Sequence, residues 1–259
     1  MLRLTAGLLL LLLGPIAARG EWEIKSTKQL PSPNESVVCR RTTLVEKETS
    51  AQATLHSVVL FAKTATLEVI DQPHSPRHNL AAVMTQNGAL AGVNGGYFDP
   101  NGAPVGLLVS GGKTISPLRR AKLLSAVLFA TREKIDIVRT SRFTMSKNIR
   151  AAVQCGPLLI ERGTPVTGLN DSRVARRTFA AVDGNGHVAI GVCSAVSLAR
   201  LSHILASPQA LPEIKTTRAL NLDGGSSSAF WFAGKERTIS LPELKTVRDF
   251  LAIWPKENR

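Results

Sequence analysis

Cysteine is scarce in this chain, and so are acidic residues, aromatics and long apolar runs. Cys39, Cys155 and Cys193 are the only cysteines among 259 residues, too few for a disulfide-dense scaffold. Their odd number allows at most one internal bridge, and the apolar segments around Cys155 and Cys193 suit buried free thiols equally well. None sits in a recognisable nucleophile pattern with a histidine. The five histidines show no metal-ligand spacing, and Pro76 between His74 and His78 argues against a helix-borne pair. No metal and no cofactor is therefore expected. Aromatics make up 5% of the chain, without the interleaving with cations that single-strand binders use. There is no obvious helix-turn-helix, so nucleic acid is not an expected partner. Internal repeats and low-complexity tracts are also missing.

One long apolar run is present, residues 6–13, after Met1-Leu2-Arg3 and before the small residues that lead to Gly20. It falls short of the roughly 20 residues a membrane helix needs. The pattern reads as a signal peptide over residues 1–20, with cleavage near Glu21. No cysteine stands directly after that point to carry a lipid anchor. The expected destination is secretion or the periplasm, with no transmembrane segment after cleavage; oligomeric state is open. About 240 residues would remain, enough for one large domain with a sizeable core.

Loss of Arg3 and Arg19 lowers the formal charge from +13 to +11, which favours anionic partners. Nine cations, Arg119, Arg120, Lys122, Arg132, Lys134, Arg139, Arg142, Lys147 and Arg150, face only Glu133 and Asp136 across one central stretch. The stretch reads either as a solvated basic face or as a surface for phosphate-bearing polymers or an anionic envelope.

Residues 21–52 are polar and turn-rich with little periodicity, and read as an N-terminal extension; residues 53–259 read as the domain. Short β-rich runs at 57–61, 66–70 and 89–93 are each bounded by turn residues. Residues 177–182 and 187–192 read as a hairpin across a glycine-containing loop, and residues 218–222 and 229–232 as a second strand pair. Ser197 caps an expected helix over 198–205, and 242–252 reads as another helix with Leu244, Val247 and Leu251 inward. The fold class expected is α+β: a single domain of mixed, mainly antiparallel sheet with a few flanking helices.

Three loops collect the glycines and polar residues. The first, Asn94-Gly95-Gly96-Tyr97-Phe98-Asp99, follows a strand. Tyr97 could stack on a sugar ring and Asn94 could bond a hydroxyl or phosphate oxygen, or the loop is a plain turn with its aromatics packed inside, as expected for Phe98. The second is Gln154-Cys155-Gly156-Pro157. The third, Asn221-Leu222-Asp223-Gly224-Gly225-Ser226-Ser227-Ser228, sets a carboxylate at a strand end before a glycine turn whose N–H groups and hydroxyls could line an anion pocket; a structural turn fits the spacing too. Arg177, followed by Thr178, could grip a phosphate with its guanidinium or form a surface ion pair.

In this order, the 94–98 motif, Gly106, Gln154 with Gly156-Pro157, Arg177-Thr178 and the 221–227 motif resemble the phosphodiester glycosidase domain. That domain is shared by the mannose-6-phosphate uncovering enzyme and many exported bacterial proteins, and the resemblance covers residues 53–255. It departs in two places: Ser226 replaces a third glycine, and Arg176 replaces a proline. The resemblance implies hydrolysis of a sugar-1-phosphodiester, with Asp223 as the main catalytic carboxylate and Asp99 as a second candidate. It implies that Arg177 binds phosphate, that Asn94 and Asn221 orient substrate, and that Thr178, Ser226 and Ser227 supply hydrogen bonds. Gly95, Gly96, Tyr97, Gln154, Gly156, Gly224 and Gly225 complete the expected binding surface for a sugar phosphate or anionic polysaccharide. Two rivals stay open: a metal-dependent phosphodiesterase using Asp99, Asp223 and Asn94, and a non-catalytic binder of anionic polysaccharide.

Overall fold

The alternation of apolar residues along the β-rich runs becomes three antiparallel sheets in the computed structural model, which describes residues 21–256. The segment read as a signal peptide lies outside the described residues. The largest sheet has eight strands in the order β1 (Trp22–Leu30), β2 (Val37–Glu46), β3 (Gln52–Phe61), β14 (His187–Val196), β13 (Ala175–Val182), β15 (Arg218–Asn221), β11 (Leu158–Glu161) and β12 (Thr164–Pro165). A second sheet runs β7 (Lys113–Ser116), β6 (Leu108–Ser110), β10 (Ala151–Cys155), β8 (Ala126–Ala130) and β9 (Ile135–Arg139). The third runs β17 (Ile239–Leu241), β16 (Phe230–Phe232), β5 (Ala91–Asn94), β18 (Asp249–Pro255) and β4 (Ala65–Asp71).

Strand side chains point alternately to opposite faces, and here both faces are filled. Leu251 and Ile253 of β18 join Val188 and Ile190 of β14 and Ala126 and Leu128 of β8 in one central core where the sheets meet. Phe250 and Ala252, the intervening residues of β18, face outward onto the helix α1 (Leu80–Gln86), which covers them with Leu80, Val83 and Met84. The helix α2 (Leu198–Ala206) does the same for the large sheet, laying Leu201, Ile204 and Leu205 against Phe179, Ala181 and Ala189. Ser197 caps α2 by accepting from the Arg200 amide at 3.1 Å, and Asn79 caps α1 by accepting from Ala82 at 2.8 Å. All three cysteines are buried and free, and burial pushes the Cys39 and Cys193 thiols up to about 12.

The expected hairpin is β13–β14, paired from Ala175 to Val182. Three expectations need correction. The polar stretch 21–52 is no separate extension: β1 and β2 are strands of the large sheet, and β2 pairs with β3 along its length. Its pattern is hard to read because residues such as Val37, Cys39 and Leu44 are buried while Val38, Arg40, Arg41, Thr43 and Val45 between them mix apolar, polar and charged side chains. Residues 242–252 do not form a helix. Leu244 is 77% exposed, and the continuous apolar run 250–253 is a central strand buried on both faces. Finally, β15 and β16 do not pair. The Asp223 loop carries the chain from the large sheet into the third one.

Candidate active site

The strand directions bring the three glycine loops to one pole. β5 ends on Asn94, β10 on Cys155 and β15 on Asn221, while β18 begins there with Asp249. Asn94 is the fastener. Its side chain is fully buried, its Nδ2 donates to the Asp223 carbonyl at 2.7 Å, and its Oδ1 accepts from the Thr178 hydroxyl at 2.7 Å and the Ala229 amide at 3.0 Å. The Asp223 amide in turn donates to the Gly95 carbonyl at 3.1 Å. Thus the 94, 178 and 223 segments, far apart in sequence, are locked by buried hydrogen bonds whose loss would strand polar groups.

A second knot ties in the 156 loop. The Gly156 carbonyl accepts from the Tyr97 hydroxyl and from Asn221 Nδ2, the latter at 2.9 Å. Asn221 Nδ2 also reaches the Leu222 carbonyl at 2.7 Å, whereas Asn221 Oδ1 is buried without a hydrogen-bond partner. Gly156 must be glycine, since a Cβ there would stand 2.2 Å from the Leu123 carbonyl oxygen. Gln154 is wholly committed to scaffolding. Its Oε1 accepts from the Leu107 and Arg119 amides, each at 3.0 Å, and its Nε2 donates to the Arg119 carbonyl at 2.6 Å.

Asp223 is partly exposed, and its Oδ1 accepts from the Gly224 amide at 2.9 Å. Burial raises its affinity for a proton; the nearby Ser227 hydroxyl, the Gly224 amide and the Lys245 charge pull the other way. Arg177 is buried and anchored through Nε to the Val196 carbonyl at 3.1 Å and through Nη2 to the Arg173 carbonyl at 2.5 Å. A Cβ on Gly224 would lie 3.9 Å from Arg177 Nη1, an ordinary contact distance, so the guanidinium sits next to the Gly224 turn. Ser226 is exposed at the rim and Ser227 is buried.

Asp99 does not join this group through any hydrogen bond. Its Oδ1 accepts from the Asn101 and Ala103 amides of its own turn, each at 2.9 Å. Phe98 packs against the α1 side of the third sheet, as expected, with Lys245 Nζ 5.1 Å from its ring centre. The second carboxylate of the pole is one the sequence did not point to, Asp249. It is buried, its Oδ1 accepts from the Gly96 amide at 3.0 Å, and its Oδ2 has no hydrogen-bond partner. Desolvation pushes it up to about 7, with the Asp71 and Asp223 charges adding to the rise and the Gly96 amide and Arg248 opposing it. It also explains Gly95, where a Cβ would fall 1.9 Å from Asp249 Oδ1. Next to it Arg248 is held by both oxygens of Asp71, at 2.6 and 3.1 Å. The Arg-Asp pair before an apolar run was the available signal, hidden by the helical reading of that segment.

Among the described residues no three His, Cys, Asp or Glu side chains gather as metal ligands. Asn94 Oδ1, one of the ligands the metal-dependent alternative requires, is taken by Thr178 and Ala229. No described helix is long and apolar enough to cross a membrane.

A stretch of 91 residues is 34% identical to the uncharacterized protein YigE of Escherichia coli K12, covering 32% of this chain and 36% of that protein. The fold is similar to the zebrafish N-acetylglucosamine-1-phosphodiester alpha-N-acetylglucosaminidase catalytic domain auto-inhibited by its pro-peptide. The TM-score is 0.64 and the identity 15%, over 88% of this chain and 87% of that one. A hypothetical protein from Synechocystis shares the fold with a TM-score of 0.57 and 15% identity, over 91% of this chain and 68% of that one. Residues 87–254, which hold all three glycine loops, match the phosphodiester glycosidase family model, and the chain belongs to that family.

Proposed function

We propose that the chain hydrolyses the glycosidic bond of sugar-1-phosphodiesters, between the anomeric carbon and the phosphate oxygen. The observation that carries the reading is the double main-chain clamp on Asp223, which holds a partly exposed carboxylate on a turn whose Gly224 lies next to the Arg177 side chain. In such a reaction positive charge develops on the sugar ring while the leaving phosphate keeps the electron pair of the broken bond. Asp223 serves the sugar side, stabilising that charge or taking a proton from the attacking water. Its raised proton affinity suits a base. Arg177 and Lys245 serve the phosphate side, and a phosphate that departs readily has little need of a strong general acid.

The hydrogen bonds redistribute the other expected roles. Asn94, Thr178, Gln154 and the Tyr97 hydroxyl are spent on holding the loops, so they position rather than touch substrate. Ser226 and the turn at Gly224 and Gly225 remain for substrate contact, while buried Asn221, its Nδ2 on the Gly156 and Leu222 carbonyls, holds the turn in place. Asp99 is reassigned to turn stability. The pattern of residues 1–20 supports export, which makes sugar phosphates of the cell envelope or exopolysaccharide the substrate class.

The test is hydrolysis of an activated sugar-1-phosphodiester in oxygen-18 water. Label is expected in the sugar and not in the phosphate. Label in the phosphate would mean P–O cleavage, and binding without product would mean a non-catalytic module; either overturns the proposal.

A further inference from the structure

Single exposed apolar side chains are ordinary on a protein surface, but their clustering is informative. Among the described residues six large apolar side chains are exposed, and five of them, all but Met145, sit on segments bonded to the site loops. Leu118 and Leu123 flank Arg119, Arg120 and Lys122 on the segment between β7 and β8, all of them exposed, with no acid between residues 117 and 125. Gln154 holds that segment at Arg119, and the Leu123 carbonyl abuts Gly156. Val174 follows exposed Arg173, whose carbonyl accepts from Arg177. Leu244 precedes exposed Lys245, and the Leu244 amide donates to the Ser226 carbonyl at 2.7 Å. Val105 is bonded to Tyr97 through its amide at 2.8 Å.

We infer that these segments dock the active-site pole onto an anionic lipid bilayer. Leucines next to cations on separate loops match a bilayer surface, whose phosphates take the cations and whose acyl boundary takes the apolar tips. A soluble polyanion would use the cations alone. The opposite pole supplies the contrast. Arg132, Lys147 and Arg150 line cavities there with Thr131 and Asn148, yet none of the exposed leucines or valines joins them. The inference rests on the reading that this pole carries the substrate site, and it implies sugar-1-phosphodiesters presented at a membrane surface. Its own test reads binding, so it can fail without the hydrolysis failing.

The experiment is co-sedimentation of the purified chain with phosphatidylcholine vesicles, with and without 30% phosphatidylglycerol, and in parallel with soluble polyphosphate. Wild type and variants carry the same N terminus, so any contribution of residues 1–20 cancels. Binding is expected only with phosphatidylglycerol. It should fall about tenfold in Leu118→Ser/Leu123→Ser or in Leu244→Ser alone, and about fivefold for each cation removed at Arg119, Arg120 or Lys122. Leu244→Ser is the safeguard for folding, since that side chain is 77% exposed; its melting temperature should match wild type. Arg132→Ser/Lys147→Ser should leave vesicle binding unchanged. No binding to the anionic vesicles, binding indifferent to both sets of leucine replacements, polyphosphate binding with none to vesicles, or loss of binding only in the opposite-pole variant would each overturn the inference.

Discussion

The two poles of the β-structure are built from the same strands and yet behave as different materials. At the pole where β5, β10 and β15 end, loops are short, glycine-rich and crosslinked by buried side chains: Asn94, Thr178, Gln154 and Asn221 each bond another loop. At the other pole, where β10 and β4 begin and β18 ends, there are cavities of about 400 and 520 Å³, whose walls include the cations Arg132, Lys147 and Arg150. Arg150 there reaches Glu68 only at 3.8 Å with its side chain 44% exposed, a pair that contributes little to stability. What sets the two poles apart is therefore the immobilised polar groups of the first, not open space at the second.

Substitutions can break or sharpen that contrast, and the largest effect belongs to the carboxylate. Asp223→Asn should lower turnover on an activated sugar-1-phosphodiester by about 10³-fold, with little change in melting temperature, because the main-chain clamp needs only the backbone. Retained turnover would remove Asp223 from the mechanism.

Next comes pH. A carboxyl whose folded pKa is raised holds its proton in the folded state after the unfolded chain has lost its own. Stability is therefore full below about 4 and declines as pH rises toward 7. With Asp249 moved from 3.8 to about 7, the decline is up to ~4 kcal/mol. Asp249→Asn keeps an oxygen for the Gly96 amide and should flatten the curve measured by denaturant unfolding from pH 4 to 8. An unchanged slope would show that Asp249 is not the group responsible.

Asn94→Ala should cost about 3 kcal/mol, since it leaves the Ala229 amide, the Asp223 carbonyl and the Thr178 hydroxyl without their buried partner. The smallest effect is expected at the opposite pole, where Arg132→Ser/Lys147→Ser should change stability by no more than about 0.5 kcal/mol and turnover by less than about twofold, the pole being remote from the reacting groups. A large loss of turnover there would erase the distinction between the poles.

Much of this contrast was legible in the sequence. The glycine loops, the capped helix at Ser197 and the β13–β14 hairpin each carry a local signal that the tertiary structure leaves intact. What escaped depends on long-range pairing. Asn94 reads as a substrate contact until its buried partners, 84 and 129 residues away, are seen. Asp249 escaped because an apolar run buried on both faces has no strand alternation to show. β1 and β2 were obscured for the opposite reason, a solvated face rich in lysine and arginine that dilutes the buried stripe. Asp99 shows the converse limit: a carboxylate beside a glycine loop is as well suited to hold its own turn as to meet a ligand.

The family match begins at residue 87, but the sheets do not. A fragment cut there would lose β3, which pairs with seven residues of β14, and β4, which pairs with seven residues of β18. It would also lose helix α1, the lid over Phe250 and Trp231. Two long strand edges and an apolar face would then meet solvent together, an invitation to intermolecular pairing. Such a fragment would hold all three glycine loops and still aggregate, so the boundary of sequence likeness is narrower than the smallest unit able to fold.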